Sequence, residues 1–314
     1  MGTIEKPQNV FTLKSVLEIA EKGCYAVGSF SPRYTPMIRP ILRSGQSENS
    51  PLIVQISQKE LERYAITPFE FGESFYRTLD EEKITVPVVL HLDHTKDVQV
   101  IRDAIAAGFT SVMIDMSEKP LEENISITKE VAEYAHDKGV SVEAELGKIG
   151  TTDFVETDKD EELYTDPKEA KYFVDQTKVD ALAVSVGTAH GVYLVKQPKV
   201  DFKRLTEIRS LTDVHLVLHG GSGVPAEMIK KATDLPSGGI SKVNIATDLE
   251  VSLLEALGRK ERMTNEECKA LDPEQLSIGQ SAVQKVVTEK ITTFLGSSGR
   301  AHEFSNNQSL QNHK

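Results

Sequence analysis

The sequence predicts an α/β chain that closes into a (β/α)8 TIM barrel with an additional C-terminal helix. Two observations predict it. Eight apolar, β-branched runs of strand length recur along the chain, and nearly every one is followed by a segment of helical periodicity. No shift in composition marks a second domain, so residues 1–297 read as one (β/α)8 domain and residues 298–314 as a polar, disordered tail. A doubly wound sheet, the competing fold, wants a glycine-rich fingerprint after its first strand, and Gly28-Ser29-Phe30 does not supply one.

The elements follow in order. A helix with Leu13, Val16, Leu17 and Ala20 on one face ends at Gly23, and the first strand covers residues 24–30. Pro32, Pro36 and Pro40 break up the next stretch, and a polar loop over 44–50 leads into strand two, 52–57. After a helix near 68–79, strand three runs through Val86-Pro87-Val88-Val89-Leu90-His91-Leu92-Asp93-His94. Asp97 caps a helix whose Val98, Ile101 and Ile105 share a side, and Gly108 closes it. Strand four is 111–115; a long amphipathic helix, 121–138, stops at Gly139 before strand five, 140–146. Residues 150–166 hold Asp153, Glu156, Asp158, Asp160, Glu161 and Glu162 without an apolar period, the pattern of a long loop that serves as a lid or stays disordered. Asp166-Pro167 opens a helix to 177, and strand six (181–186), a helix (202–211), strand seven (214–219), a helix near 225–232 and strand eight (240–245) follow. Asp272-Pro273 starts the last helix, with Val283, Val286, Val287 and Ile291 packed on the barrel or on a partner subunit.

Composition narrows the function. The 314 residues are 39% hydrophobic and 27% charged, with no run approaching the roughly eighteen apolar residues of a membrane span. The opening Met1-Gly2-Thr3-Ile4-Glu5-Lys6-Pro7 shows neither a secretory leader nor a myristoylation pattern, so a cytoplasmic protein is expected. Cys24 and Cys268 are too few for a disulfide framework and read as packing residues. A net charge of −12 argues against nucleic-acid binding.

Catalytic residues of such a barrel lie at the C-terminal ends of its strands. That rule sorts the eight histidines: His136 falls near a helix end, His215 at a strand start, and His302 and His313 in the tail. His91 and His94 follow strand three, His190 follows strand six and His219 ends strand seven. Three neutral imidazoles converging from separate strands suit a catalytic zinc, and His94, His190 and His219 are the candidates, with His91 a buried support. Asp93, beside one ligand, is either an acid/base or a carboxylate orienting a histidine. Asp115 and Glu145, at neighbouring strand ends, read as orienting groups, with a second metal position as the alternative. The loop Gly220-Gly221-Ser222-Gly223 and the strand end Asn244-Ile245-Ala246-Thr247 suit a phosphate held by backbone N–H groups, Ser222, Thr247 and the amino end of a helix at Asp248.

With these residues assembled, the chain resembles the zinc-dependent class II ketose-bisphosphate aldolases of the fructose- and tagatose-bisphosphate type. The likeness runs from about residue 12 to 297. It is carried by His91-Leu92-Asp93-His94, Ser141-Val142-Glu143-Ala144-Glu145-Leu146-Gly147, Gly187-Thr188-Ala189-His190-Gly191, Leu218-His219-Gly220-Gly221-Ser222-Gly223 and Lys242-Val243-Asn244-Ile245-Ala246-Thr247. The resemblance implies zinc on His94, His190 and His219, and Asp93 as the acid/base at the C4 hydroxyl. It also implies dihydroxyacetone phosphate on Gly191, Gly220, Gly221, Ser222, Asn244 and Thr247, with a monovalent cation (Na+ or K+) nearby, in a homodimer or homotetramer. Cleaving a ketose phosphate leaves an enediolate, which a metal stabilises as a Lewis acid, and a second acid/base must protonate its carbon.

In the family that second group is a glutamate in a Gly-Gly-x-Glu loop. Here Gly150 is followed by Thr151-Thr152-Asp153, so Asp153 stands at the glutamate's position, with Glu156 as its alternative. Ser31 replaces a usual asparagine, Met116 a usual glycine, and residues 235–239 include a small insertion. No clear arginine for a second phosphate is evident. Beside cleavage of a ketose 1,6-bisphosphate, the sequence leaves open an aldolase of the same mechanism for another phosphorylated keto sugar or keto acid, a metal-dependent barrel hydrolase, and a non-catalytic homologue.

Overall fold

The eight apolar runs pair in parallel and close on themselves. In the computed structural model, which describes residues 6–151, 163–191, 198–236 and 238–304, the barrel strands are β1 (Val27–Phe30), β2 (Leu52–Ser57), β3 (Val88–Thr95), β4 (Ser111–Ile114), β5 (Ser141–Leu146), β6 (Ala181–Val184), β7 (His215–Leu218) and β8 (Ile240–Ile245). Each pairs with its sequence neighbours, and β8 returns to β1 through the register Ser29↔Asn244. A separate two-stranded parallel pair joins Gly150–Thr151 to Ala189–His190. The fold is the (β/α)8 barrel expected. No helix among the described residues is long and apolar enough to cross a membrane.

Strand alternation sorts side chains between two apolar compartments. Outward residues such as Val54, Leu90, Val112, Val142 and Leu216 join the surrounding helices in the larger core. Inward residues Val27, Ile53, Val89, Met113, Ala181, Ala183 and Val217 fill the lower barrel. They continue into Leu13, Val16, Leu17 and Ala20 of α1 (Leu13–Lys22), which closes the N-terminal mouth. Apolar packing therefore occupies one end of the barrel, and the polar strand ends are left to the other.

Several helices appear in the expected places: α4 (Pro68–Glu81), α5 (Val98–Ala106), α6 (Leu121–Asp137), α7 (Pro167–Thr177), α8 (Phe202–Leu211), α9 (Ala226–Thr233) and α12 (Pro273–Glu289). Three were not expected. Residues 38–47, read as a proline-broken stretch and a polar loop, form α2 (Ile38–Ser47). Pro40 lies within its first turn, where a missing N–H breaks no intrahelical bond. Helices α3 (Gln58–Tyr64) and α11 (Asn265–Lys269) are short, and each starts with a reciprocal capping box, Ser57 with Glu60 and Thr264 with Glu267. Helix α10 (Thr247–Ala256) follows β8.

The described residues continue past 297 to Phe304. α12 runs into a π-helical turn, Lys290–Leu295, which Gly296 ends with φ +72°. Beyond it, Ser50 and Ser297 hydroxyls bond at 2.9 Å, and the N–H groups of Gly299 and Ala301 donate to Glu48 and Asn49 carbonyls. Phe304 is 2% exposed and meets Phe11 edge-on at 5.5 Å. Residues 298–304 thus belong to the packed unit because they bring apolar side chains to the barrel base; the expected disorder of 305–314 lies outside the described residues. Cys268 is buried as expected, but Cys24 is exposed.

Candidate active site

Plain alternation would send His94 to the outside of the barrel. Instead β3 pairs with β4 as Leu92↔Val112 and then Thr95↔Ile114, one residue more on β3 than on β4. This bulge, with φ +22° at His94, turns the imidazole inward beside Asp93. His190 arrives on the short strand after β6, and His219 directly follows β7.

The three rings converge. Centroids lie 5.1 Å apart for His94 and His190, 4.5 Å for His94 and His219, and 5.8 Å for His190 and His219. One ligand nitrogen from each falls within 4.8 Å of the others. Carboxylates set the tautomers: Asp115 accepts from His94 Nδ1 at 2.8 Å, and Glu143 from His219 Nε2 at 3.0 Å. That leaves His94 Nε2 and His219 Nδ1 buried without a hydrogen-bond partner, and Glu145 Oε2 likewise, 3.3 Å from His219 Nδ1. Buried polar atoms are rarely left so, and one cation would satisfy all three. Electrostatics agree: burial disfavours charge on His94, yet Asp93, Asp115 and Glu145 push its pKa up to about 10. His190, where burial acts with the neighbouring imidazoles, is pushed down to about 3. The donor set fits a metal dication.

Asp93, 6% exposed, accepts from Gln55 Nε2 at 3.2 Å and from Asn244 Nδ2 at 3.1 Å. Burial opposes its charge, but the positive neighbours His94, Lys242 and His219 hold the carboxyl below its ordinary range. It is an ionised acceptor in a fixed orientation, as a base requires.

Below lies a polar layer in which Glu143 and Lys242 join the expected support His91. Lys242 donates to Glu143 at 2.8 Å, and Ser29 donates to Gln55, which holds Asp93. His91 is fully buried there, with its Nδ1 at 2.8 Å from Ser111 Oγ, the supporting place expected of it. A charge two residues before each strand's site residue, Glu143 before Glu145 and Lys242 before Asn244, was the available signal.

On the β7–β8 side, Gly220 has φ +65°, and a Cβ there would stand 2.3 Å from the Ala189 carbonyl oxygen. A Cβ on Gly221 would meet Val243 at 2.4 Å. Only glycines let this loop press against β8 and the strand carrying His190. Gly221 N–H donates to the Asn244 carbonyl at 3.0 Å, and Asp248 N–H donates to Ser222 Oγ at 3.3 Å. Gly220, Gly221, Ser222, Asn244 and Thr247 are thereby gathered around the amino end of α10, and Gly191 follows His190 directly. Asp153 and Glu156 lie outside the described residues. Ser31, at the position of a usual asparagine, donates to both Glu60 oxygens at 3.0 and 2.8 Å.

The sequence model of the family described as "Fructose-bisphosphate aldolase class-II" matches residues 11–300. A fructose-bisphosphate aldolase of Geobacillus stearothermophilus is 39% identical over 297 residues, 93% of this chain and 99% of that one. One of Staphylococcus aureus (strain Mu50 / ATCC 700699) is 38% identical over 291 residues, 92% of this chain and 98% of that one. Among solved structures, the YdjI aldolase of Escherichia coli K12 superposes with a TM-score of 0.76 at 29% identity, covering 93% of this chain and 99% of its own. Converging imidazoles, a buried carboxylate beside them and sequence likeness along the barrel meet in one conclusion: the chain belongs to the class II fructose-bisphosphate aldolase family.

Proposed function

We propose that this metal-dependent aldolase reversibly cleaves a ketose 1,6-bisphosphate of fructose or tagatose type to dihydroxyacetone phosphate and an aldehyde, with zinc held by His94, His190 and His219. The observation that carries the reading is the pair of buried, partnerless imidazole nitrogens of His94 and His219, whose rings act electrostatically on the fixed carboxylate of Asp93. When bound, the metal supplies Lewis-acid stabilisation of the negative charge that develops on the ketose oxygens. Asp93 takes the C4 hydroxyl proton as the C3–C4 bond breaks and C4 becomes the aldehyde carbon. Asp153, or Glu156 in its place, returns a proton to C3. Gly191, Gly220, Gly221, Ser222, Asn244 and Thr247 hold the phosphate of the three-carbon half, with Na+ or K+ beside it, and the amino end of α10 favours the anion. A metal-dependent hydrolase would leave the glycine-rich loop after β7 and the end of β8 without a use, whereas an aldolase uses them to hold a phosphate. Assembly as a homodimer or homotetramer and a cytoplasmic location belong to the same reading.

Solvent deuterium exchange into dihydroxyacetone phosphate, followed by NMR, tests it without a guess at the aldehyde. Exchange is expected to vanish with a chelator and return with zinc, and turnover of fructose against tagatose 1,6-bisphosphate then names the sugar. Exchange that persists after the metal is stripped would overturn the metal assignment. A zinc-loaded protein that binds the ligand without exchange would favour a non-catalytic homologue.

A further inference from the structure

Beneath the imidazoles, Lys242, Glu143 and His91 are each 0% exposed. An apolar side chain would fill the Lys242 position at less cost in lost hydration, so the ammonium has a task. Lys242 Nζ stands 2.8 Å from Glu143 Oε2 and 3.4 Å from His91 Nε2. An ammonium only donates. His91 Nε2 therefore accepts, and its Nδ1 carries the hydrogen that faces Ser111 Oγ. The other Glu143 oxygen stands 3.0 Å from His219 Nε2, and an ionised carboxylate only accepts, so His219 carries its hydrogen on Nε2. Lys242, Glu143 and His219 form one directed chain from the barrel floor to the candidate metal position. Its polarity starts at the lysine.

We propose that Lys242 is a positioning residue for the metal centre: an internal cation that fixes Glu143 so that His219 presents Nδ1 to the metal. Lys242 reaches His219 through Glu143, and its charge also acts on Asp93. The proposal rests on His94, His190 and His219 being the ligands.

Zinc dissociation constants, measured by competition with a chromophoric chelator, test it in the wild type, in Lys242→Met and in Lys242→Met/Glu143→Gln. Orienting partners of metal-bound histidines typically contribute roughly ten- to hundred-fold in affinity, and Lys242→Met is expected to weaken zinc by that factor. The double variant is expected to recover to within about ten-fold of wild type, because a glutamine carbonyl still accepts from His219 Nε2 and needs no counter-charge. A folded Lys242→Met protein with the wild-type constant, or a folded double variant no better than the single one, overturns the proposal. If neither variant folds, the histidine 15N spectrum of the zinc-loaded wild type decides: His219 is expected as the Nε2–H tautomer, and the Nδ1–H tautomer overturns it. A wild type whose zinc affinity ignores His94→Ala would sink the ligand assignment instead, a distinguishable result.

Discussion

Asp93 owes its fixed orientation to two neutral amides. Gln55 and Asn244 fix its oxygens while the charges around it keep it ionised. Asp93→Asn is expected to lower kcat for cleavage by roughly 10²–10⁴-fold while leaving metal content and deuterium exchange into dihydroxyacetone phosphate near wild type. Loss of exchange together with cleavage would place Asp93 in the second proton transfer as well. A different carboxylate, Asp180, ties the base of the barrel together, accepting from His136 Nε2 and Val142 N–H, each at 2.8 Å. Burial would raise its pKa, but these two hydrogen bonds outweigh it and hold the carboxyl below its ordinary 3.8. A depressed folded pKa contributes stability that is present above the unfolded value and lost as pH falls through the folded one. Asp180→Asn should therefore be less stable by about 1–3 kcal/mol at pH 7, with the gap closing in acid. Urea denaturation at pH 7 and pH 3 checks this, and a gap independent of pH would refute it. Histidines at strand ends were legible in the sequence because each was a polar break in an apolar run. Glu143 and Lys242 were legible only as charges two residues before a strand-end residue, since barrel closure alone shows that those from β5 and β8 meet in one layer.

At the level of elements, the site depends on two departures from regular strand geometry. The β3 bulge aims His94, and the glycine turn after β7 lets that loop press on the strand carrying His190. Gly220→Ala forces a Cβ against the Ala189 carbonyl and is expected to weaken both metal binding and KM for the bisphosphate by about ten-fold or more. Calorimetric titration with zinc and steady-state kinetics measure the two effects; a lowered melting temperature with both constants unchanged would limit the turn to a structural role. Most strands and helices were legible from periodicity, with β2, β8, α7 and α8 read to the residue. Helix α2 was missed because Pro40 looks like a breaker until its place in the first turn is known. The bulge was missed because alternation, by itself, carries no sign of an extra residue.

Across the whole molecule, polar chemistry and apolar closure occupy opposite ends of the barrel. The lower end is sealed by α1 and by Phe304, which reaches back from the C-terminal segment to Phe11. Phe304→Ala is expected to cost about 3–5 kcal/mol in chemical denaturation while leaving KM unchanged, since it packs at the end of the barrel opposite the candidate site. A shift in KM of the same variant would show that the base and the active site are coupled. That closure was invisible in a tail whose composition is polar.

The short strand pair outside the barrel ties the segment after β5 to the candidate site. Thr151 and His190 share a rung of the two-stranded pair outside the barrel, so the segment that begins at residue 152 is moored to the backbone of a candidate metal ligand. A one-residue slip at Gly150–Thr151 would be felt at His190 itself. The register of Gly150–Thr151 and the place of His190 therefore cannot vary independently.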